Sequence, residues 1–232
     1  SEMCIRDRSY IFISYLCQIS NRNMKTRKIR TALYNVLPGE KAHALMAPRP
    51  KYIEGIEGVH PCPPVNSAIL ALIVPFENEL ALPLIKRVNR GKYHGGQIAF
   101  PGGKMEKEDA DALQTALREC HEEIGVPEEK VSILGVLSDI YIPLSNFNIT
   151  PIVGTTLQLP DFILSQDEVE KVILVKLRDL FDDRNKTTHS FVRHDHKIIA
   201  PGYKIGENFI WGATAMIIAE LEQLMKTNTF NH

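Results

Sequence analysis

Glu119, Glu122 and Glu123 stand at i, i+3 and i+4 within Arg118-Glu119-Cys120-His121-Glu122-Glu123-Ile124-Gly125. On a helix, side chains at that spacing are neighbours over successive turns. Each like-charged pair costs roughly 0.2–0.5 kcal/mol there, so a partner outside the helix must offset the crowding. A hard divalent cation is the simplest partner. Magnesium takes oxygen ligands, keeps several waters and completes its shell with substrate phosphate, which suits an open carboxylate cluster. Arg118, next to Glu119 and four residues before Glu122, is placed to hold one carboxylate while the others bind metal. A solvated charged face is the ordinary fate of a Glu-rich helix. The double glycine Gly102-Gly103 just upstream argues against it here.

The helix that must carry these groups is bounded on both sides. Leu113, Ala116, Leu117, Cys120 and Ile124 recur at helical spacing and form an apolar stripe that should face the core. Asp109 or Asp111 can serve the N-terminal amides, and Gly125 suits the left-handed residue that closes a helix.

The segment resembles the Nudix box, G-x5-E-x7-R-E-U-x-E-E-x-G-U with U aliphatic. Gly103, Arg118, Glu119, Glu122, Glu123, Gly125 and Val126 fill the matching roles. Two features depart from that pattern: Asp109 replaces the first glutamate, and eight residues separate it from Arg118 instead of seven. Cys120 takes a usually aliphatic position, where a buried thiol acts as a small hydrophobe. Upstream, Leu84-Ile85-Lys86-Arg87 precedes His94-Gly95-Gly96-Gln97-Ile98-Ala99-Phe100-Pro101-Gly102-Gly103. That lead-in, with the same Asp and the same extra residue, resembles the coenzyme A pyrophosphatase branch. Asp167-Glu168-Val169 before a strand and Ile210-Trp211-Gly212-Ala213-Thr214-Ala215 at the last helix look like the same branch. The resemblance covers roughly residues 48 to 226.

The resemblance implies a chemistry. A pyrophosphate resists water because its oxygens repel the nucleophile, so a catalyst must neutralise charge and supply an activated water. Glu119 and Glu123 would be the leading ligands of Mg2+ or Mn2+, with Glu122 assisting and the Gly103 carbonyl completing the shell. Glu122, Glu123 and Arg118 would be catalytic, Arg118 by orienting the carboxylates. Glu168 is the first candidate for general base, with Glu170 its rival; an exposed loop acid capping a strand is the alternative for Glu168. Lys86, Arg87, Arg90, Lys92 and Lys104 supply positive charge for an ADP moiety bearing a 3′-phosphate, Arg87 foremost. His94 beside Gly95-Gly96 would bind phosphate or be a satisfied structural residue. Trp211 reads as a core anchor. The expected reaction is hydrolysis of coenzyme A, or an oxidised or acylated derivative, to 3′-phosphoadenosine 5′-phosphate and 4′-phosphopantetheine or its acyl form. The alternatives are hydrolysis of ADP-ribose or other nucleoside diphosphate derivatives, and a non-catalytic nucleotide sensor on the same fold. A homodimer is implied by resemblance only.

Composition agrees with one enzyme domain. A chain of 232 residues with 44% hydrophobic content can bury one substantial core. A net charge of −1 excludes a strong global pull toward nucleic acid or an anionic membrane, so local basic residues must bind any phosphate. Cys4, Cys17, Cys62 and Cys120 are widely spaced, which indicates neither a zinc site nor a disulfide framework and makes a reducing cytoplasm the default.

The apolar run from Tyr10 to Cys17 is too short to span a bilayer, and Glu2 and Asp7 sit where a signal peptide needs basic residues. Residues 1–23 therefore read as a leader outside the enzyme, with Met24 the expected beginning; a native extra helix is the alternative. Residues 24–64 read as a helix broken near Leu37-Pro38-Gly39, then a Pro- and Gly-rich approach to the first core strand. Residues 65–226 are the Nudix domain and 227–232 a tail. Strands are predicted over Ser67 to Pro75, Glu79 to Lys86, Ile98 to Phe100, Val131 to Ile142, Asn148 to Thr156 and Val169 to Val175. A tight Glu77-Asn78 turn should join the first two. His189 to Val192 and Lys197 to Ala200 read as a hairpin and Ala213 to Met225 as the terminal helix. Mixed strands with two main helices fit an α/β class, an α/β/α sandwich around a mixed β-sheet.

Overall fold

The computed structural model describes residues 26–49, 62–89, 96–193 and 196–227. Its centre is strand β1, Val65–Phe76, a continuous apolar run whose alternate side chains enter two different cores. Ala68, Leu70, Leu72 and Val74 join one cluster, while Ala71 and Ile73 join the other. The next strand, β2 (Glu79–Arg87), repeats the pattern, with Ala81 and Ile85 on the first face and Leu80, Leu82 and Leu84 on the second. This is the period of two that a sheet buried on both faces requires. The predicted turn joins them, with φ of 45° at Glu77 and 64° at Asn78, the doubly left-handed form whose twist matches paired strands.

The remaining strands of the main sheet are β3 (Ile98–Ala99), β4 (Gly102–Lys104), β5 (Ser132–Val136), β6 (Ile140–Ile142), β7 (Phe147–Thr155) and β8 (Val169–Lys176). Strand β7 runs parallel to β1 from Val65↔Phe147 to Ile73↔Thr155; the other pairings are antiparallel, so the sheet is mixed. Helix α3 (Ala112–Ile124) covers the first face through Ala116, Leu117, Cys120 and Ile124, the stripe read from the sequence. The second face is covered by α1 (26–33), α2 (Glu40–Met46) and α5 (Ala213–Thr227), and by a small sheet of β9 (Lys186–Arg193), β10 (His196–Ile205) and β11 (Asn208–Trp211). A single-turn helix α4, Leu177–Leu180, follows β8. Two helical layers enclose a mixed sheet, the expected α/β/α arrangement.

The second layer is tied down by one buried carboxylate. Glu220 of α5 is fully buried and meets the His43 imidazole at 2.9 Å, the Gly39 amide at 3.0 Å and the Ser138 hydroxyl at 2.6 Å. Burial alone would raise its pKa, but these donors outweigh it and hold the carboxyl below its ordinary value.

Four points of local structure differ from the sequence reading or add to it. Val131 to Ile142 is not one strand: β5, which shifts register against β7 between Ile133 and Gly135, ends at Val136, and Leu137 donates to the Pro151 carbonyl at 3.0 Å before β6 begins. Gly102–Lys104 is a strand beside β1, and Ile210-Trp211 closes β11 instead of opening the last helix. Trp211 is only half-buried, edge-on to Phe191 at 4.8 Å, and is not a core anchor. The approach from 50 to 61 lies outside the described residues, as do residues 1–25 and 228–232. Among the described residues no helix is long and apolar enough to cross a membrane.

Candidate active site

The site forms where α3 meets β4. Asp111 caps the helix, accepting from the Gln114 amide at 2.9 Å, while the Gln114 side chain accepts from the Ala110 amide at 2.7 Å. Gly125 closes it with φ of 72°, its amide donating to the His121 carbonyl at 2.8 Å. The caps fix where α3 begins and ends, and its buried stripe fixes its rotation, so Arg118, Glu119 and Glu122 are held together on one side and Glu123 is directed into the protein.

Arg118 is the organiser. Its Nε and Nη2 grip Asp109 at 3.0 and 2.9 Å, its Nη1 reaches Glu119 and Glu122 at 3.0 Å each, and Nη2 also donates to the Lys104 carbonyl at 3.2 Å. The bidentate guanidinium holds Asp109 well below the usual carboxylate range, helped by the Glu106 amide and the Thr115 hydroxyl and opposed by burial. Reciprocally, Asp109 and Glu119 raise the already high pKa of Arg118. The repulsion among the three glutamates is therefore partly offset by protein cations, not by a metal alone. Glu119 is raised above its ordinary value by burial, against the pull of Arg118 and with a further push from Glu122 and Glu168.

Glu123 turns the other way, into the protein, and is 1% exposed. Its Oε2 accepts from the Gly102 amide at 2.8 Å. Its Oε1 lies 2.9 Å from Arg87 Nη2 in an ion pair without hydrogen-bond geometry, and the same nitrogen donates to the Gly102 carbonyl at 2.8 Å. Burial pushes the carboxyl up to about 7; Arg87 and the Gly102 amide pull down, while Glu119 and Glu168 push further up. Arg87 reaches this position because Ile85 and Arg87 share a strand face, and that face is covered by α3.

Two glycines make the close approach feasible. A Cβ on Gly103 would lie 2.3–2.5 Å from the Glu119 carboxylate atoms. One on Gly102, whose φ is 155°, would lie 2.4 Å from the Ala68 carbonyl oxygen and 2.6 Å from Ile69 Cα. Only hydrogen fits at Gly102, where the neighbours are backbone; at Gly103 a methyl group would have to push the Glu119 side chain aside.

Several residues singled out in the sequence thus converge: Arg118, Glu119, Glu122 and Glu123 directly, and Gly103, Lys104 and Arg87 around them. Glu168 stands near enough for its charge to raise both Glu119 and Glu123. Its main chain is fixed by the Val88 amide at 2.9 Å and by its own bond to the Ser165 carbonyl. Lys86 is drawn away to Glu170, 2.7 Å distant, which occupies both side chains with each other. Arg90 and His94 lie outside the described residues, as do Lys92 and Gly95. The role of Asp109 as the main partner of Arg118 was missed, because their nine-residue offset crosses the turn before the helix.

The donor set suits a hard divalent ion. Glu119, Glu122 and Glu123 offer carboxylate oxygens, and Glu123 Oε1 is a buried oxygen with no hydrogen bond. Among the described residues no three carboxylate, imidazole or thiol groups are already drawn into one ligand shell, since Arg118 and Arg87 engage the glutamates. Cys120 is no competitor: it is buried in the apolar stripe, and burial pushes its thiol up to about 12.

Beside the carboxylates, on the α5 side of β4, opens a cavity of about 530 Å3. Arg87, Gly102, Gly103 and Lys104 line it together with Ile69, Ile142, Phe147, Ile149, Trp211 and Met216.

Residues 66–194 match the family model described as NUDIX domain. The chain belongs to the Nudix family. It is similar to an uncharacterized Nudix hydrolase NudL of Enterobacter sp. (strain 638), 34% identical over 161 residues, 68% of this chain and 82% of the relative. The Pectobacterium atrosepticum NudL, likewise uncharacterized, is 35% identical over 158 residues, 67% of this chain and 80% of the other. Among solved structures, the Nudix hydrolase RenU of M. smegmatis matches with 14% identity and a TM-score of 0.49 over 74% of this chain and 89% of that one. The protein is thus a Nudix hydrolase, an enzyme of nucleoside diphosphate derivatives, and Nudix hydrolases generally use divalent metal ions.

Proposed function

We propose that this Nudix hydrolase cleaves the pyrophosphate bond of coenzyme A or its derivatives, releasing 3′-phosphoadenosine 5′-phosphate and 4′-phosphopantetheine or its acyl form. One observation carries the reading. The arginine of the upstream lead-in, Arg87, lies against the box itself, between the Gly102 carbonyl and Glu123, and lines a cavity large enough for a small-molecule substrate. The lead-in and the box therefore act as one site, and the lead-in is what distinguishes the coenzyme A branch.

In this reading Glu119 and Glu123 hold Mg2+ or Mn2+, with Glu122 and the Gly103 carbonyl in support. The bound ion neutralises phosphate charge and lowers the pKa of its water. Arg118 keeps Glu119 and Glu122 in register. Glu168, exposed and close to both leading carboxylates, takes the proton of the attacking water; Glu170, held by Lys86, is the weaker candidate. Arg87 and Lys104 meet the diphosphate from the cavity lining, with Lys86, Arg90 and His94 on the same lead-in.

The test compares coenzyme A, dephospho-coenzyme A and ADP-ribose as substrates with magnesium, with Glu123→Gln as the control. Preference for coenzyme A, lost by roughly 10²-fold or more in the variant, is the expected result. Hydrolysis of ADP-ribose alone would overturn the substrate. Tight nucleotide binding without turnover would instead indicate the sensor.

A further inference from the structure

Strand β8 ends the main sheet on the β2 side, and its outer edge meets no other strand among the described residues. The direction of its peptide groups follows from β2. The Arg87 amide donates to the Gln97 carbonyl at 3.0 Å, and the Arg87 carbonyl accepts from the Gly96 amide at 2.9 Å, so Arg87 turns its main chain away from β8. Peptide groups alternate in direction along a strand, so Ile85, Pro83 and Ala81 turn away as well, and Pro83 costs the β8 ladder no donor. Lys86, Leu84 and Leu82 are then the residues that bond β8, through their partners Lys171, Ile173 and Val175. The intervening Val172 and Leu174 present amide and carbonyl to the outside. Their side chains and that of Ile173 are only half-buried, although they lie in the middle of a strand whose Val169 and Val175 are buried. The other margin of the sheet, β5, is guarded: it has five residues, shifts register between Ile133 and Gly135, and its Ile133 carbonyl accepts from Arg30 at 3.2 Å. Between Lys171 and Lys176 β8 is regular and its centre is apolar, the kind of edge that templates another strand.

We propose that this edge is the seam of a two-fold homodimer, in which β8 pairs antiparallel with β8 of a second copy and joins the two main sheets into one. The strand Val169-Glu170-Lys171-Val172-Ile173-Leu174-Val175-Lys176 is complementary to its own reverse. Centred on Ile173, the pairing sets Val172 opposite the partner's Leu174, so the outward amides and carbonyls of both residues find partners. It also sets Glu170 opposite the partner's Lys176 at each end of the seam. Glu170 already lies 2.7 Å from Lys86, and Lys176 lies 2.6 Å from Glu77. Each end thus becomes a row of alternating charge: Lys86, Glu170, the partner's Lys176 and the partner's Glu77. A slip of one residue opposes outward groups to inward ones, and a slip of two breaks both Glu170–Lys176 pairs. Because β8 has one free edge, the arrangement closes at two copies. One strand per copy is a small interface, so the dimer is reversible and depends on concentration. The inference is independent of which nucleotide the enzyme cleaves.

The test is sedimentation equilibrium of the full chain from micromolar to submillimolar concentration. The expected result is a mass that rises reversibly from one chain toward two. Leu174→Pro removes one outward amide and none that bonds β2, so the folded variant should associate at least tenfold more weakly, while Leu174→Val should dimerise as the native chain does. Where proline unfolds the chain, cross-linking decides. With Cys4, Cys17 and Cys62 replaced by serine, Ile173→Cys should oxidise to a covalent dimer at least tenfold faster than Lys171→Cys. Cα atoms opposed at the two-fold lie about 4.5 Å apart, within the span of a disulfide, whereas the two copies of residue 171 lie about 14 Å apart. A chain that stays monomeric throughout the range would overturn the proposal. So would a dimer that persists in folded Leu174→Pro, or one in which Lys171→Cys cross-links as fast as Ile173→Cys, because the contact would then lie elsewhere or in another register.

Discussion

At the scale of single residues, Gly102 and Gly103 show how little room the site leaves. A methyl group on Gly103 meets the end of a flexible Glu119 side chain, whereas one on Gly102 meets the backbone of β1. Gly103→Ala should therefore melt only modestly lower, by about 1–3 kcal/mol, while displacing Glu119 and weakening Mn2+ binding at least tenfold. Gly102→Ala should be the less stable of the two; paired thermal melts and Mn2+ titration by electron paramagnetic resonance separate the cases. Asp109 gives a second expectation. Its folded pKa is depressed, so its contribution is fully present above the unfolded value near 3.9 and is lost as pH falls below it. Metal-free protein should lose stability steadily below about pH 4, and Asp109→Asn should flatten that acid limb while lowering stability at pH 7, as melts from pH 7 to 3 would show. The box carboxylates and Arg118 were legible from spacing alone. The Asp109–Arg118 pair was not, because nine residues span a turn whose path helical periodicity does not describe.

At the scale of elements, α3 is a rigid rack whose two caps and apolar stripe were all readable from the sequence. Its N-cap was narrowed to two aspartates; the structure divides their labour, Asp111 capping and Asp109 gripping Arg118. Asp111→Ala should cost about 0.5–2 kcal/mol in chemical denaturation and leave kcat within about threefold, since it touches none of the box carboxylates. The β1–β2 hairpin was equally legible, because a long apolar alternation and a two-residue turn specify it locally. Strand β4 was not. Three residues, two of them glycine, carry no periodicity, and only the neighbouring edge of β1 makes them a strand. The same applies to β11 and to the break after Val136, where pairing with β10 and β7 overrides a pattern that read as a helix start or one long strand.

At the scale of the whole molecule, the family-matched stretch 66–194 is not a self-sufficient body. The face of the sheet opposite α3 is closed by Ile29, Ala32 and Leu33 of α1, by Tyr203 and Ile210, and by Ile217, Ile218, Leu221 and Leu224 of α5, all beyond that stretch. Each large aliphatic side chain is worth about 1.5–3 kcal/mol on burial, so the four on α5 alone approach the total stability of about 5–15 kcal/mol expected of a domain. A chain cut to 66–194 should show no cooperative melt and should bind a hydrophobic dye, whereas residues 26–227 should melt as one unit. Glu220 sharpens the point: it fastens α5 to Gly39, His43 and Ser138, so the N-terminal helices belong to the body of the enzyme. The parallel pairing of β1 with β7 has a consequence in time. The two strands begin 82 residues apart, from Val65 to Phe147. At a synthesis rate of about 5–20 residues per second, the most apolar strand of the nascent chain waits roughly 4–16 s for its partner. During that interval its β7-pairing edge is an unpaired, sticky surface, and the yield of active enzyme from the ribosome should depend more on chaperone supply and translation speed than on the stability of the finished fold.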